Sequence, residues 1–301
     1  MITIESSRLR VTIADPNREY NTSRFDRAGF ITQVTLDGKY EFCSAEYGGT
    51  GGMGLCSEIK FDPLSEIVPV GGKFLKPGVG ILTKIDDAPY HIFKTYPVLP
   101  FPISVENRGY QAVFRTTPID LNGYAIRQKK TVTIYENRLR MDYEFENIGR
   151  NRVEFNEYVH NFVTLNHRPV DETYVLEMPA MNVPMGDVAA PRSPIPGPSG
   201  VYCDEEGLKT RAADFYDSMI FFDPSCVDHS VKPFSWTLRS TANDLSITEK
   251  VSFDPAYMRV WTVGEIMSPE VFSAVELDPG EVAVYHREWC FSSFSGTGSD
   301  D

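Results

Sequence analysis

No run of apolar residues in this chain is longer than four, at Met219 to Phe222 and Val282 to Tyr285. A bilayer-spanning helix needs about 20, so a membrane is not an expected partner. Cysteine is sparse and scattered, at 43, 56, 203, 226 and 290, with no C-x-x-C pair. An odd, dispersed set argues against a disulfide framework and a thiolate zinc site, and predicts buried reduced thiols. Positive charge is the minority sign: 29 Lys plus Arg face 42 Asp plus Glu, a net charge of −13. No local basic run relieves that balance, so nucleic acid is not expected as a partner. Glu5, Arg8 and Arg10 interrupt the apolar core that a signal peptide needs, which points to the cytoplasm. Gly48-Gly-Thr-Gly-Gly-Met-Gly is followed by neither the Lys-Ser/Thr pair nor the helix of a phosphate-binding loop, and no Ser lies in G-x-S-x-G.

What the chain has in quantity is alternation of period two. The 301 residues are 42% hydrophobic, enough for a large core. In Thr131 to Glu146, Val132 and Ile134 share one face and Glu136-Asn137 makes a turn. Leu139, Met141, Tyr143 and Phe145 then return against Arg140, Asp142, Glu144 and Glu146. Similar patterns recur at 8–13, 30–36, 111–114, 234–238, 258–263, 272–277 and 283–291. Short strands separated by Gly, Pro, Asn and Asp turns predict an all-β fold, a large antiparallel β-sandwich. Two long segments break the pattern, glycine-rich 48–80 and proline-rich 179–200, and read as covers or surface loops. With no shift in composition, residues 1–294 read as one domain and 295–301 as a frayed tail.

Five histidines occur, at 91, 160, 167, 229 and 286. His160 shares a strand face with Tyr158 and Phe162, so its residues alone fit a satisfied core histidine or a functional one. A His160/His167 metal pair has no third ligand in view, and no metal or other cofactor is expected. Pro269 is expected to end a strand and hold Glu270 at a sheet rim, where it could be a placed carboxylate or a solvated one. Glu58 and Glu265 are rivals on the same grounds.

A series of landmarks resembles the galactose mutarotase (aldose 1-epimerase) superfamily. They are Arg24-Phe-Asp-Arg-Ala-Gly-Phe-Ile-Thr-Gln-Val, Gly51-Gly-Met-Gly-Leu-Cys, Leu75-Lys-Pro-Gly-Val-Gly-Ile-Leu-Thr-Lys, and Leu139 to Gly149 followed by His160. Ser268-Pro-Glu-Val-Phe, Leu277-Asp-Pro-Gly-Glu and Tyr285-His-Arg-Glu-Trp-Cys-Phe close the series. The resemblance spans nearly the whole chain and implies a supersandwich with a sugar cleft on its concave face. By position His160 matches the family's general acid and Glu270 its general base, with Arg24, Glu58, Lys76, Lys84 and Asn161 as hydroxyl-binding neighbours. The chain departs from the family where Lys76-Pro-Gly-Val replaces a His-Gly-Phe segment and Lys84 stands at best for an Arg. Lysine keeps a donor but loses planar bidentate geometry, so sugar specificity does not transfer.

The implied activity is interconversion of the α and β anomers of an aldose by acid/base ring opening, with a small-molecule sugar as substrate in a monomer or homodimer. Two rivals remain: a non-catalytic carbohydrate-binding module, and an epimerase or lyase of different regiochemistry on the same scaffold. The acidic balance makes an anionic polymer the less natural substrate.

Overall fold

The ten-residue strands Ile126–Tyr135 and Arg138–Asn147 pair antiparallel throughout, joined at Glu136 and Asn137 as the alternation predicts. Glu136 takes the left-handed conformation that so short a turn demands (φ 49°). The computed structural model describes residues 1–19, 22–46, 51–61, 65–188, 201–210 and 218–293. The expected tail at 295–301 lies outside these residues.

The hairpin belongs to an eleven-stranded sheet. Its order runs Gly186–Asp187, Val201–Asp204, Gly207–Thr210, Tyr174–Glu177, Ser235–Ser240, Leu245–Val251, Val282–Ser293, Arg138–Asn147, Ile126–Tyr135, Gln111–Thr116 and Ile103–Asn107. A nine-stranded sheet packs against it. Its main path is Ile2–Glu5, Leu9–Ile13, Ile31–Leu36, Leu55–Lys60, Val153–Asn161, Ile266–Leu277, Tyr257–Val263 and Ser218–Phe221, and Tyr40–Glu41 pairs with Ile31–Leu36. A small third sheet is formed by Lys73–Lys76, Gly80–Thr83 and Val98–Pro100. The fold is thus the large antiparallel β-sandwich expected. Among the described residues the only helical piece is the 3-10 turn Pro224–Cys226, and no helix is long and apolar enough to cross a membrane.

The inner faces of the two large sheets meet through aromatic rings, Phe145 on Phe155 at 5.1 Å and Phe42 on Phe291 at 5.0 Å. Between them lies an ionic knot: Arg287 bonds Glu157 at 2.8 Å and Glu249 at 2.9 Å, and the Trp236 indole donates to Glu249 at 2.6 Å. Arg287, Glu157 and Glu249 are all 0% exposed. Burial pushes the Glu249 carboxyl up against the pull of Arg287, so this knot holds only while the guanidinium is present.

Two expectations need correction. Segment 48–80 is not a loop throughout, because Leu55–Lys60 is a central strand of the nine-stranded sheet and Lys73–Lys76 an edge strand of the three-stranded one. Five of the six residues of Leu55–Lys60 are buried, on both of its faces, and two of them, Ser57 and Glu58, are polar, so the polar-apolar alternation that betrays half-exposed strands is absent. Gly54 starts that strand at φ 62°, where a Cβ would stand 2.1 Å from the Ile31 carbonyl oxygen. The cysteines are all free, as read, but only Cys43 and Cys56 are buried; Cys203, Cys226 and Cys290 are half-buried.

Replacing Arg287 with Leu strands two buried carboxylates. Unfolding free energy from urea titration is expected to fall by about 3–5 kcal/mol; a loss below about 1 kcal/mol would show that the knot does not hold the sheets together.

Candidate functional site

Strand alternation sends Ser57, Glu157, Val159 and Val271 toward the inter-sheet core and their neighbours Glu58, Tyr158, His160 and Glu270 to the opposite face. Antiparallel register then aligns them. Tyr158 stands opposite Glu58 and His160 opposite Cys56, while Arg259 stands opposite Glu270, Trp261 opposite Ser268 and Tyr257 opposite Phe272. The result is a side-chain cluster drawn from four adjacent strands.

His160 and Glu270, 3% and 2% exposed, are in contact: Nε2 lies 3.2 Å from Glu270 Oε1. The Ser268 hydroxyl lies 3.1 Å from His160 Nδ1 and 3.4 Å from Glu270 Oε1, and accepts the Asn161 backbone N–H at 3.0 Å. The hydroxyl proton is aimed at Glu270 Oε1, so Ser268 bridges the carboxyl and the imidazole while Nε2 faces the carboxyl directly. Rings fix the imidazole plane. Phe162 stacks on it at 3.9 Å with 2° between planes, and Trp261 meets it edge-on at 5.1 Å. The glycine-rich segment packs behind: a Cβ on Gly52 would sit 2.4 Å from the Phe162 ring.

Pro269 does not end a strand, contrary to expectation, since Ile266–Leu277 runs through it without a break. Pairing with Val153–Asn161 covers only Val153↔Leu277 to Glu157↔Ser273, and the two strands part beyond. The Pro269 carbonyl accepts the Asn161 side-chain amide at 2.5 Å, so the ring nitrogen faces the same opening, where no ladder N–H is required. Glu270 therefore sits inside the sheet, not at its rim.

The second carboxylate is held differently. Glu58 accepts Arg24 Nε at 2.9 Å and the Tyr158 hydroxyl at 2.6 Å, and Lys76 Nζ stands 3.6 Å away. Burial raises its pKa, but Arg24 and Lys76 outweigh burial and bring it down to about 2. Glu270 has no such partner. Burial lifts it to about 7 against the more distant pull of Arg24, Lys60 and Arg259. The same burial, with Arg24 nearby, holds His160 well below the usual imidazole value, so it rests neutral and not as the imidazolium expected of a ready acid.

Of the residues singled out in the sequence, Arg24, Glu58, Lys76, His160 and Glu270 come together. Asn161 and Lys84 do not join them. The Asn161 amide turns to the inner face, toward Pro269 O and Glu249, and Lys84 donates to the Glu66 carbonyl at 3.5 Å. Glu265 and His167 lie apart, with the ring nitrogens 2.9 Å from Glu265 and 2.7 Å from Glu41. Lys60, Ser268 and Arg259 were missed, although each lies two residues from a candidate or on an alternating strand.

Searches against protein-family models and against curated proteins return no match. Solved structures do match. A galactose mutarotase-like protein from Lactobacillus casei aligns at 15% identity over 97% of this chain and 100% of its own, with a TM-score of 0.61. A galactose mutarotase related enzyme from Lactobacillus acidophilus aligns at 12% over 97% of each chain, TM-score 0.61. A galactose mutarotase-like protein from Clostridium acetobutylicum aligns at 8% over 97% of this chain and 95% of its own, TM-score 0.57. These likenesses show the galactose mutarotase-like fold.

Because Glu58 is held at about 2 in the folded chain, below its ordinary 4.5, its contribution is complete above the ordinary value and is lost as pH falls toward 2. Unfolding free energy is expected to drop by about 3 kcal/mol over that window from this group. Glu58→Gln should flatten that part of the urea-derived stability profile; an unchanged slope would show that Glu58 is not the ion-paired carboxylate described.

Proposed function

We propose that a protein with the galactose mutarotase-like fold and a His160–Glu270 pair in contact interconverts the α and β anomers of an aldose. The observation that carries this reading is the buried imidazole and carboxyl 3.2 Å apart, the carboxyl lifted to about 7. One shared proton serves both directions of the reaction. For opening, the Glu270 carboxylate takes the O1 proton and the His160 imidazolium gives its proton to O5 as the C1–O5 bond breaks. That leaves the open-chain aldehyde, a protonated Glu270 and a neutral His160. After rotation about C1–C2, Glu270 returns its proton to O1 and His160 withdraws the one on O5, closing the ring as either anomer. Burial favours the protonated carboxyl and neutral imidazole at rest, and moving one proton between the two restores the form that opens the ring. Arg24, Glu58 and Lys76 line the same face as hydrogen-bonding groups for ring hydroxyls.

NMR exchange spectroscopy on aldoses, reading cross-peaks between anomers, tests the proposal. His160→Asn and Glu270→Gln should each slow exchange about 10²- to 10⁴-fold, and full rates in both would sink the assignment. Sugar binding without any exchange in the unmodified protein would instead favour a carbohydrate-binding module.

The rate should also depend on pH with a definite sign. The active pair carries one proton, so activity falls as pH rises through about 7 and Glu270 loses it. The acid limb, where the imidazole gains a second proton, belongs well below 6.5. A rate still climbing at pH 9 would assign the base to another group.

A further inference from the structure

Four cationic side chains meet on the face that carries His160 and Glu270: Arg24, Lys60, Lys76 and Arg259. Two are matched by carboxylates, since Arg24 lies 2.9 Å from Glu58 and 3.5 Å from Glu46, and Lys76 lies 3.6 Å from Glu58. The other two are not. Lys60 Nζ stands 5.1 Å and Arg259 Cζ 5.0 Å from the centroid of Phe272, whose ring stacks with Tyr158 at 4.3 Å and Tyr257 at 4.2 Å. Among the described residues, neither Lys60 nor Arg259 makes an ion pair or a side-chain hydrogen bond. Both are half-buried. The aromatic rings attract these cations by about 1–2 kcal/mol each but do not neutralise them. Burial first, and then the repulsive charge of Arg259, hold the Lys60 amine below its usual value against the pull of Glu58 and Glu270. Glu270, in register with Arg259, is only partly ionised near neutral pH and offsets a fraction of one charge.

Two cations without an ion-pair partner among the described residues, beside a reactive pair and in a chain of net charge −13, form a local excess that a ligand can satisfy. The geometry points to an aldose carrying an anionic group, a phosphate monoester or a carboxylate, held between Lys60 and Arg259 while its anomeric carbon lies at Glu270 and His160. The inference rests on the mutarotase reading and names its substrate class. Chemistry limits where the anion sits. Ring opening needs a free hydroxyl at C1, so the charged group is carried elsewhere on the sugar, at the exocyclic carbon in the simplest case. Arg259 supplies a planar fork that matches phosphate or carboxylate oxygens, and Lys60 a point charge.

The test measures anomer exchange on glucose, galactose and mannose, on their 6-phosphates and on their uronates, with calorimetric binding of the same sugars. The expected result is kcat/KM at least tenfold higher for an anionic sugar than for its neutral parent, with KM rising with salt. A response confined to the phosphates or to the uronates identifies the anion. Lys60→Gln/Arg259→Gln should collapse the anionic-to-neutral ratio at least tenfold, and Lys60→Gln alone is read where the double variant fails to fold. Equal or better turnover of the neutral sugars overturns the inference and leaves the mutarotase reading standing. If no sugar is exchanged, that reading falls, and calorimetry decides the anion site separately. Binding of an anionic sugar that needs Lys60 and Arg259 upholds it, and no binding overturns it.

Discussion

Exclusion of water from one face of the nine-stranded sheet acts on two carboxylates with opposite outcomes. Glu58 and Glu270 are equally buried, yet one is held at about 2 and the other at about 7. Burial raises both, so the difference lies in partners. Glu58 takes direct bonds from Arg24 and Tyr158 and the near charge of Lys76, whereas Glu270 faces a neutral imidazole and cations at longer range. Separating two carboxyl groups by environment in this way leaves one as a fixed negative anchor and the other free to exchange a proton near neutral pH. The dry face is thus a condition for the proposed chemistry as well as for the stability of the sheet.

The strand Val153–Asn161 links that face to the rest of the molecule. Its odd-numbered residues reach inward, Glu157 to Arg287 and Asn161 to Pro269 and Glu249, while Tyr158 and His160 point out to the site. One strand therefore carries both the ionic knot between the sheets and the candidate acid. Where it parts from Ile266–Leu277, the backbone N–H of Asn161 is satisfied by the Ser268 hydroxyl, which in turn reaches His160. The opening that admits a proline into a central strand is the same one that lets a serine orient the imidazole.

Much of the fold was legible because half-buried strands announce themselves by alternation: the hairpin around Glu136-Asn137 was readable to its turn. Leu55–Lys60 was not, because a strand covered on both faces has no alternation to read and sits among glycines. The candidate pair was legible through family landmarks and not through spacing, as His160 and Glu270 lie 110 positions apart in the chain and only register unites them. Asn161 shows the limit of adjacency, since the neighbour of a site residue on a strand faces the other way. The protonation state of His160 was out of reach as well, for it depends on packing by Phe162, Trp261 and the Arg24 charge.

Net charge says nothing of where single cations such as Lys60 and Arg259 lie. The acidic average made an anionic polymer the less natural substrate, and no basic run appeared along the sequence. An average field governs encounters at long range, but at physiological salt it is screened beyond about 8 Å. Among half-buried side chains the few charges within that distance dominate, and the lower dielectric strengthens each of them. Here those charges come from strands far apart in sequence, Leu55–Lys60 and Tyr257–Val263, each contributing one cation.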